Sequence, residues 1–227
     1  MVCAIDSSRV FSYHNENMTN IGSPCAQPKA EVLESRTTGW VAQCRELHCA
    51  PSFGTFVRAP NALPEDAQRE VIYGVVAHIE TLPFEANRRP LALWTSEDDM
   101  DARHPQIGKL LRTTFEVRCV GWTRGENPAI HQSLPPQPPR LHSFVMPCER
   151  EDVRRFTAQH DWIRLLFDSA GTIGGASADE LLVAACNQAI EAHEHNIEYS
   201  IGVGKTLALL LRADYLRLRA ILGRIGI

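Results

Sequence analysis

The segment Ile201-Gly202-Val203-Gly204-Lys205-Thr206 carries the most chemically suggestive spacing in the chain. Gly-Lys-Thr entering a Leu-rich helix is how a phosphate-binding loop ends. Small residues let backbone N–H groups wrap a phosphate, and the lysine reaches it. The full pattern needs a glycine five residues before Gly204, and that position is Tyr199. The stretch after Thr206 reads as helix and offers no strand to carry a magnesium-organising aspartate. A glycine turn between two helices is the favoured reading, and nucleotide binding through Lys205 is the alternative. Cys44-Arg45-Glu46-Leu47-His48-Cys49 gathers two thiols and an imidazole. Zinc takes about four ligands in a tetrahedron, and this run supplies three at most. Cys119, His142 or Cys148 would complete a set only if the fold brings them close. Burial of Cys44 and Cys119 in strands is favoured over a metal site, since free cysteine is among the most buried residue types. An enzymatic reading would rest on Lys205 or on the Cys49 thiol. No G-x-S-x-G elbow is present to tie a nucleophile to a base. His193 and His195 flank Glu194, and residues two apart on a helix do not share a face. No catalytic residue, metal or cofactor is therefore assigned.

The 227 residues are 44% hydrophobic and 22% charged, which supports a buried core and excludes wholesale disorder. The net charge of −4 does not mark a general polyanion binder. Charge is unevenly spread. Residues 205–227 hold Lys205, Arg212, Arg217, Arg219 and Arg224 against Asp214 alone. Residues 159–204 hold Arg164 against Asp161, Asp168, Asp179, Glu180, Glu191, Glu194 and Glu198. Helices of complementary charge packed on each other, or on a second copy, explain this better than a basic tail for nucleic acid. The seven cysteines form an odd set, and the N-terminus shows no basic region leading into an apolar one. Reduced thiols in a cytoplasmic protein are the expectation, with no membrane span.

These candidates must be positioned by strands in the middle of the chain and helices at its end. Residues 1–36 have no sustained period and read as a poorly ordered arm holding at most one short strand. Strands are predicted over 39–44, 54–59, 70–80, 113–122 and 141–146. Gly74 falls where a bulge would sit, and Phe115, Val117 and Cys119 share one face. A short helix is expected near Ile107–Leu111. Leu134-Pro135-Pro136-Gln137-Pro138-Pro139-Arg140 must be extended, as a rigid connector in preference to a proline ligand. From Glu149 the period becomes helical. A Gly/Ser loop spans 169–177, and Ser177 with Glu180 resembles a capping box. One helix is predicted from Ser177 to about Asn196 and another from Lys205 to Leu222, broken apart at Gly202 and Gly204. The second carries Leu207, Leu211, Tyr215, Leu218 and Leu222 as a stripe.

The fold class expected is α+β: a small antiparallel β-barrel over 37–157, followed by a C-terminal helical hairpin within 158–227. The Leu/Tyr stripe is the predicted interaction face, against a protein partner or a second copy. Its alternative is to close the barrel's open end within the monomer.

The strand region resembles the HAS-barrel, the small β-barrel at the N-terminus of HerA-type DNA translocases and of F-type ATP synthase α and β subunits. After the opening strand in Thr38-Gly39-Trp40-Val41, the segments Gly54-Thr55-Phe56-Val57, Tyr73-Gly74-Val75-Val76 and Glu116-Val117-Arg118-Cys119-Val120-Gly121 stand where that family has its strand motifs. The Pro-rich link into a last strand and short acidic helix follows. The likeness covers residues 37–157. In the translocases a RecA-like ATPase with Walker motifs and an arginine finger comes next. Residues 158–227 hold no counterparts of those residues. The resemblance implies a stand-alone barrel, possessing assembly contacts but no motor, and accessory to an ATPase or DNA-processing complex.

Overall fold

A computed structural model describes residues 30–61, 70–85, 92, 109–125, 129–168 and 177–227. Residues 1–29 of the predicted arm, the first two residues of the helix expected near 107–111, and most of the Gly/Ser loop lie outside the described residues. The strands are β1 (Ala30–Arg36), β2 (Gly39–Cys44), β3 (Phe56–Asn61), β4 (Glu70–Pro83), β5 (Leu111–Arg124), β6 (Ile130–His131) and β7 (Phe144–Pro147). The helices are α1 (Arg150–Phe156), α2 (Asp161–Asp168), α3 (Ala178–Ala192), α4 (Ile197–Leu210) and α5 (Tyr215–Arg224).

Alternating residue types build the barrel. Val57 and Ala59 of β3, Ile72 and Val76 of β4, Phe115, Val117 and Cys119 of β5, and Val145 of β7 all turn inward and are buried together. Trp40 and Ala42 of β2 and Val32 of β1 complete this interior. The strand order is β2-β1-β7-β3-β4-β5, and β5 then pairs with β2 to close the cylinder, with β6 appended to β5. Every pairing is antiparallel. Closure removes the exposed strand edges that an open sheet would present. The protein is thus a closed six-stranded antiparallel barrel with helices, an α+β fold.

The segment from Ala30 to Arg36, expected to end an arm, is a full staves' width of this barrel, held by β2 on one side and β7 on the other. Leu111, placed by sequence at the end of a short helix, opens β5 instead. The bulge expected at Gly74 is present: the register with β5 shifts between Tyr73 and Gly74. Space demands glycine there. A Cβ would lie 2.4 Å from Val117 Cγ1 and 2.7 Å from Trp40 Cη2. The proline segment runs without helix or strand, with Pro135 and Pro139 buried against the barrel.

The helices do not plug the barrel's end. They cover its side. Phe56, Tyr73, Val75, Ala77 and Val120 face outward from β3, β4 and β5 and join one core with residues of all five helices. Phe56 meets Trp162 edge-on at 5.3 Å, and Tyr73 stacks on Phe156 at 4.6 Å. Gly54, at φ 84°, lets the chain pass against Ala184 of α3, where a Cβ would come within 2.4 Å. The Gln188 side chain of α3 accepts from Phe56 N–H at 2.7 Å. The C-terminal layer contains three helices, not two. Gly202 and Gly204 lie inside α4, and the helix expected over Lys205–Leu222 breaks at Leu211–Asp214, where Asp214 caps α5 by accepting from Arg217 N–H.

Candidate interaction surface

The last three helices each begin on a side-chain cap. Ser177 accepts from Asp179 N–H, and Asn196 accepts from Tyr199 N–H. The predicted Ser177 cap is therefore present, but Glu180 is not turned back to complete a box. It pairs with Arg224 of α5, one contact at 2.8 Å. Beside it Asp179 takes a forked contact from Arg217 at 2.7 and 2.9 Å. That guanidinium also lies over the Phe167 ring, 5.2 Å from its centroid. Asp179 holds the Arg217 pKa above its usual value. The opposite charges of the two C-terminal stretches thus clamp α5 onto the start of α3.

This clamp divides the predicted stripe. Leu207 and Leu211 are buried in the monomer core, and Leu218 and Leu222 pack partly buried against it. Only Tyr215 is open, at 71% exposure. The stripe spans two helices that turn against each other, so its members do not share one accessible face. The exposed apolar residues of this layer are different ones. Ile197 is 76%, Leu209 76% and Leu216 77% exposed, and Ile201 is also open. Sequence reading missed them because α4 presents apolar residues on both sides. The side chosen by the core cannot be told from periodicity alone.

Lys205, Arg212 and Arg219 are exposed along the same surface. Among the described residues they have no ion pair, whereas Arg217 and Arg224 are engaged. The Gly-Lys-Thr segment is helical, and its N–H groups serve the helix rather than a phosphate.

Behind α4 lies a feature no local motif signals. The Tyr199 ring stacks on His193 at 3.6 Å, 9° from parallel, and meets His160 at 5.0 Å. Thr157 Oγ1 stands 3.0 Å from His193 Nε2. The Tyr199 hydroxyl, Trp162 Nε1 and His160 Nε2 are buried and, among the described residues, make no hydrogen bond of good geometry. Burial drives the phenol's pKa up, with Thr157 and Trp162 beside it opposing. Burial also holds both imidazoles below their ordinary value. The array packs α4 against α1, α2 and the end of α3.

The thiols are spread apart. Cys44 and Cys119 line the barrel, Cys186 lies in the helical core, and Cys148 sits half-buried between barrel and α1. Burial pushes Cys44 to about 11 and Cys119, Cys148 and Cys186 to about 12. Such thiols are protonated and weakly nucleophilic at neutral pH. Cys49 is disulfide-bonded, so the expectation of reduced thiols fails there. It lies in the surface loop after β2, where sulfur is reachable, and it offers no thiolate. Among the described residues no group of three or more His, Cys, Asp or Glu is placed to hold a metal ion. No helix among them is long and apolar enough to cross a membrane.

The fold and surface define an α+β protein in which a closed barrel carries a helical layer with an open apolar face. No family model matches the chain, and no curated protein matches it either.

Proposed function

We propose that this protein is a non-catalytic interaction and assembly module, a barrel of the HAS type that serves as an accessory to an ATPase or DNA-processing complex. One observation carries the reading. The helical layer leaves Ile197, Leu209, Tyr215 and Leu216 open to solvent, with Ile201 also exposed, while Leu182, Val203, Leu207 and Ile221 are buried. Large side chains grouped in this way lose free energy to water unless another surface covers them. The motif likeness over the barrel strands supplies the class of complex. A photocrosslinking residue placed at Leu216 should give discrete adducts in cells, and the same residue at the exposed Arg164 should not. Equal labelling at the two positions, or none at either, overturns the reading.

A second reading is nucleic-acid binding, favoured by the uncompensated charges of Lys205, Arg212 and Arg219. It requires affinity that falls steeply with salt. Absence of binding at low salt removes it.

A further inference from the structure

α4 carries a second pattern on the face turned away from the core. Ile197, Ile201, Gly204 and Ala208 recur at intervals of four, three and four, which places them on one line of a helix. The opposite side holds Tyr199, Val203 and Leu207, all buried. The line therefore points outward. Ile197, Ile201 and Ala208 are exposed, and Gly204 is half-open. Along one edge of it stand Glu198 and Lys205, both exposed and, among the described residues, not ion-paired. They are seven residues apart. Partners within one helix must be three or four apart, so these two do not satisfy each other.

We infer that α4 pairs antiparallel with α4 of a second copy of this chain, about a two-fold axis. The inference rests on the assembly reading above and names one of its partners. In an antiparallel pair, the register that sets Ile201 over the second copy's Gly204 also sets Ile197 over its Ala208. Large residues then meet small ones along the seam, with Leu222 of the same chain flanking Gly204, its Cδ2 3.9 Å from where a Cβ would stand. The same register brings Glu198 beside the second copy's Lys205. Two-fold symmetry repeats each contact, giving two opposite-charge pairs flanking one apolar seam. Ile227 widens the seam, because its Cγ2 lies 3.6 Å from where a Gly204 Cβ would stand.

Charge selects this occupant. Within α4 itself the charges are one acidic and one basic residue, Glu198 and Lys205, at the spacing that makes the helix complementary to itself; Arg212 and Arg219 lie beyond its C-terminal end. An acidic helix, or an anionic lipid surface, would meet Lys205 well but would set Glu198 against like charge.

The test uses the full chain in sedimentation equilibrium over a wide concentration range. The wild type should sediment at twice the monomer mass at high concentration. Glu198→Lys and Lys205→Glu should each raise the dimer dissociation constant about tenfold, since each reverses two exposed pairs. Mixing the two single variants should restore wild-type affinity as a heterodimer, and the double variant E198K/K205E should restore it as a homodimer. Ile201→Glu should abolish association at every salt concentration, with circular dichroism confirming that it remains folded. A wild type that stays monomeric throughout overturns the pairing. It leaves the assembly reading standing or falling on adducts at Leu216, which report any partner. A dimer indifferent to all these substitutions overturns the pairing as well.

Discussion

Gly202 of α4 lies against the imidazole of His160, whose Cε1 and Nε2 would stand 2.5 and 2.7 Å from a Cβ at that position. A glycine in a helix interior costs about 1 kcal/mol relative to alanine. Its presence here is set by the ring it accommodates. The ring cannot retreat freely, because it is packed against Tyr199. Gly202→Ala should therefore destabilise the protein by about 1–2 kcal/mol, the overpacking outweighing the helix gain. In a His160→Ala background the same change should stabilise. Urea denaturation of the four-member cycle reads both signs.

The two imidazoles give stability a pH dependence. His160 is held below the ordinary value of 6.5 chiefly by burial, with Asp161 opposing. His193 is lowered by burial, then by the charges of Arg154 and His160. A group with a depressed folded pKa prefers its neutral form in the fold. Its contribution is complete above the unfolded pKa and is lost as pH falls through the folded one. The melting temperature should be flat from pH 8 to about 6.5 and decline as the pH falls further. Replacing both histidines by glutamine should flatten that decline. An unchanged profile in the double variant would refute the assignment.

The forked contact between Arg217 and Asp179 predicts a loss that lysine does not repair. Both side chains are partly exposed, at 34% and 26%, so solvent screens the pair. Arg217→Ala should cost about 1 kcal/mol, including its stacking on Phe167. Arg217→Lys should recover little of it, because an ammonium makes neither the fork nor the stack. Hydrogen exchange should show the loss as faster opening of α5 while the barrel amides stay protected.

The buried thiols predict silence toward reagents. At pH 8 and under native conditions Cys44, Cys119 and Cys186 should resist alkylation and react only on unfolding, as their raised pKa values and burial require. Peptide mapping after iodoacetamide treatment checks this position by position. Rapid native labelling of Cys119 would mean that the barrel interior opens.

Gly74 predicts a large effect from one methyl group. Its Cβ would meet Val117 Cγ1, Arg118 carbonyl oxygen and Trp40 Cη2, all within 2.7 Å. None of these neighbours is the free end of a flexible chain. Gly74→Ala should destabilise by about 2–3 kcal/mol, read by denaturant titration.

Alternation of side chains was enough to place β2, β3, β4 and β5, because a period of two is a property of the strand itself, whereas β1 went unplaced in the arm. Phe115, Val117 and Cys119 share the interior as their spacing requires, and the bulge falls at Gly74. Ser177 announced the start of α3 for the same local reason. Other features depend on partners far away in the chain. Gly202 and Gly204 read as a break, yet burial of Tyr199, Val203 and Leu207 carries the helix through them. Which side of α4 faces water followed from the outward residues of β3, β4 and β5, to which the helical layer docks. The joining of β5 to β2, the meeting of His160, Tyr199 and His193, and the capture of Arg217 by Asp179 all link segments widely separated along the chain. A sequence pattern records what each segment prefers to bury, whereas only the folded core decides against what it is buried.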